Sequence, residues 1–525
     1  MASEAMHKGG RGAVWLIGAG PGEPDLITVR GRELLGRADV VLYDALSHPG
    51  LLEWCRPEAE RRNVGKRYGQ RSPDQSWITS QLIELARAGK CVARLKGGDP
   101  LLFARGAEEA EALAEAGIRF EIVPGISSPV ATTAYAGISM THRDLSSSVT
   151  FITGSDREGK QWSDAAWKKL ATATDTICVL MGMRRIEEIT RAIVDGGRRR
   201  ETPTSVIQWG ARPQQRVVEG TLGDIAERVR QAGVTNPAII VVGEVTQLRS
   251  KLAWYDSRPL FGQRVLVPRP VAQAQSSAAA IRERAAQPVI LPLIRIEAPP
   301  EPARLEQAVT ELERYDWVLF TSANGVVRCA DELERVGRDA RAFGAAKVAC
   351  IGPKTAQALA RLGIRADLIA KEYIGEGLAQ ELEARGVGKG SRVLLLRALE
   401  AREALPDLLV RAGASVDVVP AYQTLKLDEA GRAELRGALG VADPERRSID
   451  VALFTSSSTA HSFADALGDT RDQLPPELVL ASIGPVTSAT LRERGLRVDV
   501  EAEVYTVDGL LDALEAHFVS RPGPT

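Results

Sequence analysis

The sequence is poor in the residues that build disulfide frameworks and metal sites. It has only five cysteines and five histidines among 525 residues. No two cysteines form a C-x-x-C pair, and the histidines lack the spacing of a metal site. A disulfide scaffold and a zinc fold are therefore not indicated. The scattered cysteines predict reduced, mostly buried thiols in a cytoplasmic protein.

Long apolar runs and an excess of charge of one sign are also missing. No apolar run approaches the roughly 20 residues of a membrane span, so no membrane partner is expected. The formal net charge is −1, which implies no nucleic-acid partner. The chain has 44% hydrophobic and 26% charged residues, the balance of a soluble globular protein. Residues 1–11 are polar and basic, and they predict a disordered leader rather than a signal peptide.

A glycine-rich turn follows the first apolar strand, which is predicted at residues 13–17. The turn, Gly18-Ala19-Gly20-Pro21-Gly22, lets the backbone approach a ligand closely because glycine has no Cβ. A dinucleotide fold would need a third glycine where Glu23 stands. Pro21 and Pro24 also break the helix that such a fold requires next. A dinucleotide oxidoreductase is therefore disfavoured, and the turn predicts a ligand loop of another kind.

Strands and helices alternate along the whole chain, which predicts an α/β protein with largely parallel sheets. Asp44 ends the apolar strand predicted at 39–43, where α/β folds place their ligands, although from position alone a turn or helix cap is the better explanation. A second loop, Lys96-Gly97-Gly98-Asp99-Pro100, follows the strand predicted at 91–95. Its glycines expose backbone amides and its aspartate offers a carboxylate acceptor, which suits a zwitterionic amino-acid ligand.

Five motifs of the N-terminal half, over roughly residues 11–254, resemble those of uroporphyrinogen-III C-methyltransferase in order and spacing. That enzyme is a tetrapyrrole methyltransferase that uses S-adenosylmethionine. Single motif matches arise by chance, whereas five in register do not. The motifs are residues 18–28, Val64-Gly65-Lys66-Arg67, Arg94-Leu95-Lys96-Gly97-Gly98-Asp99-Pro100, Pro124-Gly125-Ile126-Ser127-Ser128 and Thr141-His142-Arg143-Asp144.

The resemblance implies a two-lobed methylase fold, a homodimer through this half, and roles for particular residues. Asp44 matches the proposed proton acceptor and Lys66 the proposed proton donor. Arginines bind carboxylates well, and the substrate carries many of them. The positions implied to face that substrate are Arg67, Arg94, Arg105, His142 and Arg143. The positions implied to bind S-adenosylmethionine are Pro21, Gly97, Gly98, Asp99, Leu102, Ser127, Ser128, Met181, Gly210 and Ala238.

This sequence departs from the family pattern in the run that follows the second loop. Two family glycines are replaced by Ala104 and Ala107. The backbone conformation of this run is therefore open at the sequence level, because alanine resists the left-handed conformations that glycine adopts.

The C-terminal half contains an internal repeat with a period of roughly 130 residues. Val318-Leu319-Phe320-Thr321-Ser322 recurs as Ala452-Leu453-Phe454-Thr455-Ser456, and Ile351-Gly352-Pro353 recurs as Ile483-Gly484-Pro485. The offsets are 454 − 320 = 134 and 484 − 352 = 132. This period is too long for a solenoid, so it predicts duplicated α/β lobes with a cleft between them.

Hydroxyl side chains follow a strand in both copies and precede a helix. Such ends offer amides and hydroxyls to anions, while simple N-capping explains at least one hydroxyl in each copy. Together with Thr321-Ser322-Ala323-Asn324-Gly325, Ile351-Gly352-Pro353 and Pro420-Ala421-Tyr422, they make residues 263–518 similar to uroporphyrinogen-III synthase. The substrate contacts that this resemblance implies are Thr321, Ser322, Asn324, Tyr422, Ser456, Ser457 and Thr487.

The resemblances imply a domain organisation. A methyltransferase at 12–249 would be joined by a linker at 250–262 to a synthase at 263–518, with a tail at 519–525. In the synthase, lobe one would comprise about 263–292 and 425–518, and lobe two about 293–424, because the family's lobes are discontinuous.

The implied function is a bifunctional enzyme of tetrapyrrole biosynthesis. The synthase would close hydroxymethylbilane to uroporphyrinogen III without a cofactor or metal. The methyltransferase would methylate that product twice with S-adenosylmethionine, giving precorrin-2 for the sirohaem or cobalamin branch. A separate dehydrogenase and chelatase would act downstream. Methylation of a later corrin intermediate, and a C-terminal half that only binds tetrapyrrole, remain as alternatives.

Overall fold

A computed structural model of the chain describes residues 12–65, 74–154, 164–372, 374–401, 403–441 and 443–520, with backbone only for 164 and 271–273. The predicted leader at 1–11 and residues 521–525 of the predicted tail lie outside these ranges. The chain divides into two compact units. The first comprises Met1–Val265, Ala278–Pro288 and Leu511–Thr525, and the second comprises Leu266–Ser277 and Val289–Leu510.

The first sheet of the first unit is parallel throughout. Its strands are β1 (Ala13–Gly18), β2 (Val40–Tyr43), β3 (Glu60–Asn63), β4 (Cys91–Lys96) and β5 (Arg119–Val123). Their order in the sheet is β3-β2-β4-β1-β5, and every neighbouring pair is parallel. Parallel strands align their carboxyl ends along one edge, so the loops after β1, β2, β4 and β5 come together there.

The second sheet of this unit is mostly antiparallel. Its strands are β6 (Val149–Thr153), β7 (Thr176–Leu180), β8 (Pro203–Gln208), β9 (Arg216–Thr221) and β10 (Ala238–Val242), in the order β6-β7-β10-β8-β9. Only β6 and β7 pair in parallel, while β10 runs opposite to both its neighbours and β8 opposite to β9. The expectation of largely parallel sheets is therefore wrong here. The short loop at 209–215 explains part of the difference, because so short a connection joins antiparallel neighbours.

Helices cover these sheets with their apolar faces. The helices before residue 255 are α1 (Val29–Leu35), α2 (Gln75–Arg87), α3 (Gly106–Glu115), α4 (Ser128–Tyr135), α5 (Asp164–Ala173), α6 (Ile186–Asp195), α7 (Ile225–Gln231) and α8 (Arg249–Leu252). Ile78 and Leu82 of α2 and Leu113 of α3 pack in one buried cluster with Val14 and Val92 of the first sheet. These contacts hold α2 and α3 against one face of β1 and β4.

Strands from residue 264 onward form two further sheets. They are β11 (Arg264–Val267), β12 (Gln287–Ile290), β13 (Ile294–Glu297), β14 (Trp317–Phe320), β15 (Lys347–Cys350), β16 (Leu368–Ile369), β17 (Arg392–Ala398), β18 (Ser415–Lys426), β19 (Val451–Phe454), β20 (Val479–Ser482) and β21 (Val500–Glu501). One sheet has the order β12-β11-β19-β20-β21 and the other β13-β18-β17-β14-β15-β16. The predicted α/β class, with two similar C-terminal lobes, is confirmed.

Helices alternate with these strands as well. They are α9 (Val271–Glu283), α10 (Pro302–Thr310), α11 (Ala323–Arg335), α12 (Pro353–Arg361), α13 (Gly375–Glu383), α14 (Ala404–Arg411), α15 (Glu429–Leu439), α16 (Ser457–Leu467), α17 (Pro485–Glu493) and α18 (Val507–Ser520). Because α18 runs to Ser520, the tail predicted to begin at 519 is helical over its first two residues.

The repeat seen in the sequence extends to hydrogen bonds that sequence similarity does not reveal. Asp367 Oδ2 accepts a hydrogen bond from the backbone N–H of Val348 at 2.7 Å. Asp499 Oδ2 accepts one from the N–H of Leu480 at 2.8 Å. The two aspartates are 499 − 367 = 132 positions apart, the period of the repeat. The copies therefore share their stabilising contacts as well as their apolar strands.

Each of these two sheets is built from both sequence repeats. The first repeat supplies β11 and β12, which join β19, β20 and β21 of the second. The second repeat in turn supplies β17 and β18, which join β14, β15 and β16 of the first. The chain crosses between the sheets just before β13, and β13 pairs antiparallel with the end of β18, with Ile294 opposite Lys426. The two repeats have thus exchanged halves.

We predict that this exchange decides which fragments fold. Fragment 293–426 contains every strand of the six-stranded sheet and the two buried apolar clusters found between 305 and 422. It should therefore show a cooperative urea transition by far-UV circular dichroism. Fragment 263–391, one complete sequence repeat of similar length, lacks the central strands β17 and β19 and should show none. A cooperative transition in the second fragment alone would contradict the observed strand exchange.

Candidate active site of the first unit

Three loops at the carboxyl edge of the first sheet meet at glycines. Gly20 and Gly98 exchange backbone hydrogen bonds, with N···O distances of 3.3 Å and 2.9 Å. Both have left-handed φ values, 70° and 72°. A Cβ on Gly18 would lie 2.4 Å from the Cα of Gly125, and a Cβ on Gly125 would lie 2.3 Å from the Gly98 carbonyl oxygen. Only glycine fits at these positions, so bare backbone forms this part of the edge.

Asp99 ties two of these loops together. Its Oδ1 accepts a hydrogen bond from the N–H of Leu101 at 2.8 Å, and its Oδ2 accepts one from the N–H of Gly125 at 3.0 Å. The carboxylate therefore fixes the loop after β4 against the loop after β5. The other predicted cofactor positions on these loops that are partly exposed are Pro21, Gly97, Leu102, Ser127 and Ser128.

A loop of the second sheet contacts the same edge. The N–H of Glu23 donates to the carbonyl of Ala211 at 3.0 Å. A Cβ on Gly210 would lie 2.2 Å from the side chain of Thr132 in α4. Gly210 thus packs beside the first sheet's loops, as a shared ligand site requires. Ala238, the first residue of β10, is half-buried.

Backbone strain is concentrated around these positions. Met181, Trp209 and Ala211 are non-glycine residues with φ values of 55°, 51° and 59°. Each such conformation costs on the order of 1–3 kcal/mol and persists only where the surroundings impose it. Strain of this kind clusters at ligand sites, and here it flanks the predicted positions Met181, which is half exposed, and Gly210.

The substituted family glycines do not disturb the loop before α3. Within the described residues, Phe103 and Arg105 take the left-handed conformations, with φ values of 57° and 59°, and Ala104 and Ala107 do not. Gly106 does have to be glycine, because a Cβ there would lie 2.2 Å from the Pro100 carbonyl oxygen. The question left open by the sequence is thereby answered.

A cavity of about 420 Å³ opens beside the end of β2. Asp44 follows β2 directly, and its side chain is 29% exposed. Charged side chains from the end of β2, the start of α2, β4 and the start of α3 line the cavity, which gives it a polar wall. Its lining comprises Asp44, Val64, Gly65, Asp74, Gln75, Ile78, Arg94, Lys96, Ala104 and Arg105.

Four charged side chains meet beside this cavity, and three of them, Asp44, Arg94 and Lys96, line it. Nη2 of Arg94 donates to Oδ1 of Asp44 at 2.6 Å, and Nε of Arg94 donates to Oε1 of Glu109 at 3.3 Å. Nζ of Lys96 donates to the same Oε1 at 2.9 Å, as does Nε2 of Gln75 at 2.8 Å. The side chains of Arg94 and Lys96 are each 2% exposed and that of Glu109 is 0% exposed. We call Asp44, Arg94, Lys96 and Glu109 the buried charge cluster.

The buried charge cluster is neutral because two carboxylates face two cations. Unpaired charges at this depth would be strongly destabilising, whereas paired and hydrogen-bonded ones are tolerated. Burial also lowers the pKa of Lys96, since it disfavours the charged ammonium. Arg94 and Lys96 are two positions apart on β4, so both side chains lie on the same face of the sheet, towards α3.

Glu109 was not among the residues predicted from the sequence. It lies on the buried stripe of α3 with Gly106, Ala110 and Leu113. A glutamate at a position where helical periodicity calls for an apolar residue was the available signal. A glutamate can be buried there only if cationic side chains pair with it, and the sequence pattern does not show which side chains those are.

The remaining predicted residues of this half are placed as follows. Arg105 lines the cavity and is held by Glu108, with Nη2 to Oε2 at 2.6 Å. Nδ1 of His142 accepts a hydrogen bond from the N–H of Asp144 at 3.2 Å in a tight turn, where Arg143 is exposed. Among the described residues, neither His142 nor Arg143 lines the cavity. Lys66 and Arg67 lie outside the described residues.

The predicted hydroxyl residues of the second unit occupy helix starts. Ser322 caps α11 by accepting from the N–H of Gly325 at 3.2 Å, and its Oγ lies 2.9 Å from the hydroxyl of Tyr422. Tyr422 is 7% exposed. Ser456 caps α16 in the same way at the N–H of Thr459, 3.4 Å away. Capping thus accounts for one hydroxyl in each copy. Thr321, Asn324 and Ser457 are partly buried beside these caps, and Thr487 is buried in α17.

Glu23 is a second buried carboxyl group, next to the glycine turn. It is 8% exposed, and its Oε1 accepts a hydrogen bond from the hydroxyl of Tyr255 at 3.1 Å. Burial raises the pKa of Glu23 to about 7, and the hydrogen bond from Tyr255 opposes that rise only in part. Glu23 therefore gains a charge only near neutral pH in the folded protein.

No helix in the described ranges combines the length and the apolar character that crossing a bilayer demands.

Comparison with known proteins separates the chain into two regions. A family model described as Tetrapyrrole (Corrin/Porphyrin) Methylases matches residues 13–226, and one described as Uroporphyrinogen-III synthase HemD matches residues 275–512. A solved structure of uroporphyrin-III C-methyl transferase from Thermus thermophilus, complexed with S-adenyl homocysteine, is 35% identical with a TM-score of 0.39. That match covers 45% of this chain and 99% of the other.

Two curated relatives differ in how much of this chain they match. The Porphyrin biosynthesis protein HemD of Ruminiclostridium josui is 36% identical over 504 residues, which are 96% of this chain and 97% of that protein. The Siroheme synthase of Pseudomonas fluorescens (strain Pf0-1) is 48% identical over 245 residues, which are 47% of this chain and 52% of that protein. The match thus spans about half the length of the siroheme synthase.

The fold and these matches define a tetrapyrrole methylase joined in one chain to a uroporphyrinogen-III synthase. The chain belongs to the family of fused porphyrin biosynthesis proteins represented by the relative from Ruminiclostridium josui. Both family assignments made from the motifs are confirmed. The protein is accordingly an enzyme of tetrapyrrole biosynthesis with a methyltransferase and a synthase domain.

We predict that Glu23→Gln stabilises the protein above neutral pH and not in mild acid. Folding raises the pKa of Glu23 to about 7 from 4.5, so the folded state binds the proton more tightly. The contribution of Glu23 to stability is therefore fully present below pH 4.5 and is lost as the pH rises to about 7. The neutral amide avoids that loss, which is about 3 kcal/mol when fully developed. The transition temperature of the variant should exceed that of wild type at pH 8, and the difference should vanish near pH 4.

The exposed residue Glu53 provides the control, because Glu53→Gln makes the same chemical change without burial. Its transition temperature should follow that of wild type at both pH values. A Glu23→Gln variant that is no more stable than wild type at pH 8 would contradict the prediction.

Proposed function

We propose that the N-terminal half transfers two methyl groups from S-adenosylmethionine to uroporphyrinogen III, giving precorrin-2. The C-terminal half supplies that substrate by closing hydroxymethylbilane with loss of water. In each methyl transfer a carbon–carbon bond forms on the macrocycle while the sulfur–methyl bond of the donor breaks. The macrocycle then releases a proton. The enzyme's part is to orient the partners and to manage that proton.

The position of Asp44 carries the proposal for the methyltransferase. Its carboxylate lines the cavity at the carboxyl edge of the parallel sheet, where the glycine loops also lie. Within the part of the chain that the structure describes, its hydrogen bond to a side chain is that of Oδ1 with Arg94. Asp44 therefore combines a fixed orientation with access to the cavity. These are the requirements for a general base that accepts the macrocycle's proton.

The glycine edge fits a nucleoside that bears an amino acid. S-adenosylmethionine supplies a methyl group already activated on a sulfonium. A Cβ on Gly18 or Gly125 would clash with neighbouring backbone, and Gly98 has a left-handed φ of 72°, so bare backbone forms the surface that the donor would approach. The strained residues around Gly210 indicate a conformation that binding requires. We propose that the donor is held by Pro21, Gly97, Gly98, Asp99, Leu102, Ser127, Ser128, Met181, Gly210 and Ala238.

The carboxylates of the macrocycle would be met by the cationic side chains that remain accessible. Arg105 reaches the cavity and is 46% exposed, so it can take a substrate carboxylate in exchange for Glu108. Arg67, His142 and Arg143 keep the same proposed role, and Lys66 stays the proposed proton donor. Arg94 differs from these residues, because all its guanidinium nitrogens are already hydrogen bonded inside the protein. We therefore propose that it positions Asp44 rather than binding substrate.

In the synthase half, we propose that Thr321, Ser322, Asn324, Tyr422, Ser456, Ser457 and Thr487 contact the linear tetrapyrrole. The helix starts after β14 and β19 offer amides and hydroxyls to its carboxylates. Catalysis would consist mainly of holding the two ends of the chain in a reactive geometry. The proposed domain limits are 12–249, 250–262 and 263–518. The methyltransferase half would form a homodimer, and a separate dehydrogenase and chelatase would complete sirohaem.

One anaerobic reaction tests both activities, and we predict labelled, doubly methylated type III product. Purified full-length protein receives hydroxymethylbilane and S-adenosylmethionine with a labelled methyl group, and the products are separated by isomer and counted. Unlabelled type III product would refute the methyltransferase assignment. Type I product alone, which forms spontaneously, would refute the synthase assignment and support a C-terminal half that only binds tetrapyrrole.

A second prediction concerns Asp44 alone. Asp44→Asn keeps an oxygen for Arg94 but loses the basic carboxylate. With uroporphyrinogen III as substrate, the rate of label transfer should fall about 100- to 10,000-fold, the usual contribution of a general base. Synthase activity should not change, but the transition temperature should fall, because Arg94 loses the charge of its partner in the buried charge cluster. Asp195→Asn, the same substitution at an exposed site of α6, is the control. A rate for Asp44→Asn equal to that of the control would exclude Asp44 as the proton acceptor.

A further inference from the structure

We infer that Glu109 is a positioning residue of the methyltransferase, which holds Arg94 in the orientation that fixes Asp44. This inference rests on the proposed function, in which Asp44 accepts a proton. Glu109 lies on α3, and neither the sequence motifs nor the cavity lining assigns it a role. Three features support this role: the hydrogen bonds of Glu109, the hydrogen bonds of Arg94, and the hydrogen-bonded path from Glu109 through Arg94 to Asp44 at the cavity.

The first feature is the crowding of donors on one oxygen of Glu109. Oε1 accepts hydrogen bonds from Gln75, Arg94 and Lys96, which come from α2 and β4. Oε2 is buried and has no hydrogen-bond partner within the part of the chain that the structure describes. A carboxylate that only neutralised Lys96 would need a single hydrogen bond from that residue. Oε1 of Glu109 instead accepts hydrogen bonds from three side chains, although burial leaves Oε2 without solvent.

The second feature is that each of the three guanidinium nitrogens of Arg94 donates a hydrogen bond. Nε binds Glu109, Nη1 binds the carbonyl of Leu95 at 3.2 Å, and Nη2 binds Asp44. The guanidinium is planar and its N–H groups diverge at fixed angles. Once Nε and Nη1 are held, the direction of Nη2 is therefore fixed as well. Glu109 supplies one of those two anchors from a different element of the fold.

The third feature is the path from the interior to the cavity. The side chains of Glu109 and Arg94 are 0% and 2% exposed, whereas that of Asp44 is 29% exposed and lines the cavity. The chain of hydrogen bonds therefore runs from a fully buried anchor to the one member of the buried charge cluster with substantial solvent access. Outer groups that orient the ligands of metal sites contribute about 10- to 100-fold to activity, and we expect an effect of the same order here.

A purely structural role makes a different prediction, and two double variants separate the explanations. Glu109→Leu with Lys96→Met removes both charges of the buried pair and the acceptor for Nε of Arg94. Glu109→Gln with Lys96→Met also removes both charges but leaves one amide oxygen for Nε of Arg94. Replacing a buried ion pair by apolar groups of similar volume is often neutral for stability, so the leucine variant should fold. The glutamine variant should fold because its amide oxygen keeps an acceptor for Arg94 and Gln75. They differ in whether Arg94 keeps its anchor.

The experiment measures label transfer from S-adenosylmethionine to uroporphyrinogen III by the full-length variants, together with their transition temperatures. We expect kcat of the leucine variant to fall about 10- to 100-fold below that of the glutamine variant. KM for S-adenosylmethionine should be the same in both, because the anchor acts on Asp44 and not on the donor. Equal kcat in two variants of equal stability would overturn the inference.

Two further variants complete the design. Glu109→Asp keeps the charge, but its shorter side chain does not reach Arg94, so we expect kcat to fall. This variant tests the role independently of whether the leucine variant folds. Unchanged kcat in this variant would also count against the role. Glu111→Gln, on the exposed face of the same helix, should match wild type. If wild type itself transfers no label, the proposed function fails first, and that outcome is distinct from equal rates in two active variants.

Discussion

Charge neutrality inside the first parallel sheet is the constraint on which the candidate site depends. Arg94 and Lys96 lie on a face of β4 that otherwise packs against apolar side chains, so their burial requires carboxylates at matching positions. Glu109 meets that requirement from α3 and Asp44 from the end of β2. The requirement places α3 against the sheet and leaves one carboxylate at the edge of the cavity. Fold stability and site geometry are therefore set by the same contacts.

Much of the N-terminal half could be predicted from the sequence, and the failures have physical reasons. The glycine loops were predicted because glycine at a strand end has a direct steric meaning, as the clashes at Gly18 and Gly125 show. The direction of the strands in the second sheet was not predicted, because apolar runs do not encode pairing. Glu23 and Glu109 were not identified as buried, because the burial of a carboxyl group depends on partners distant in sequence. Lys66 stays a prediction.

The duplication of the C-terminal half was predicted from self-similarity, and its synthase assignment from motifs. Matching strand ends identified the two copies, and the equivalent bonds of Asp367 and Asp499 show how closely their structures agree. N-capping by Ser322 and Ser456 also followed from residue type and position. Self-similarity does not reveal that strands are exchanged between the repeats, because each repeat looks the same whichever sheet receives its strands. The discontinuous lobes were expected only from the resemblance to the synthase family.

This exchange of strands has a consequence for synthesis of the chain. The six-stranded sheet is complete once Lys426 has been made, whereas β11 and β12 must wait for β19, which begins 451 − 290 = 161 residues after β12 ends. At the usual rates of translation that delay is roughly 8 to 32 s. During that time the apolar residues Val265, Leu266 and Val267 have no neighbouring strand from the second repeat. The sheet that contains β11 and β12 is therefore started first and completed last. The six-stranded sheet can fold while that sheet is still incomplete.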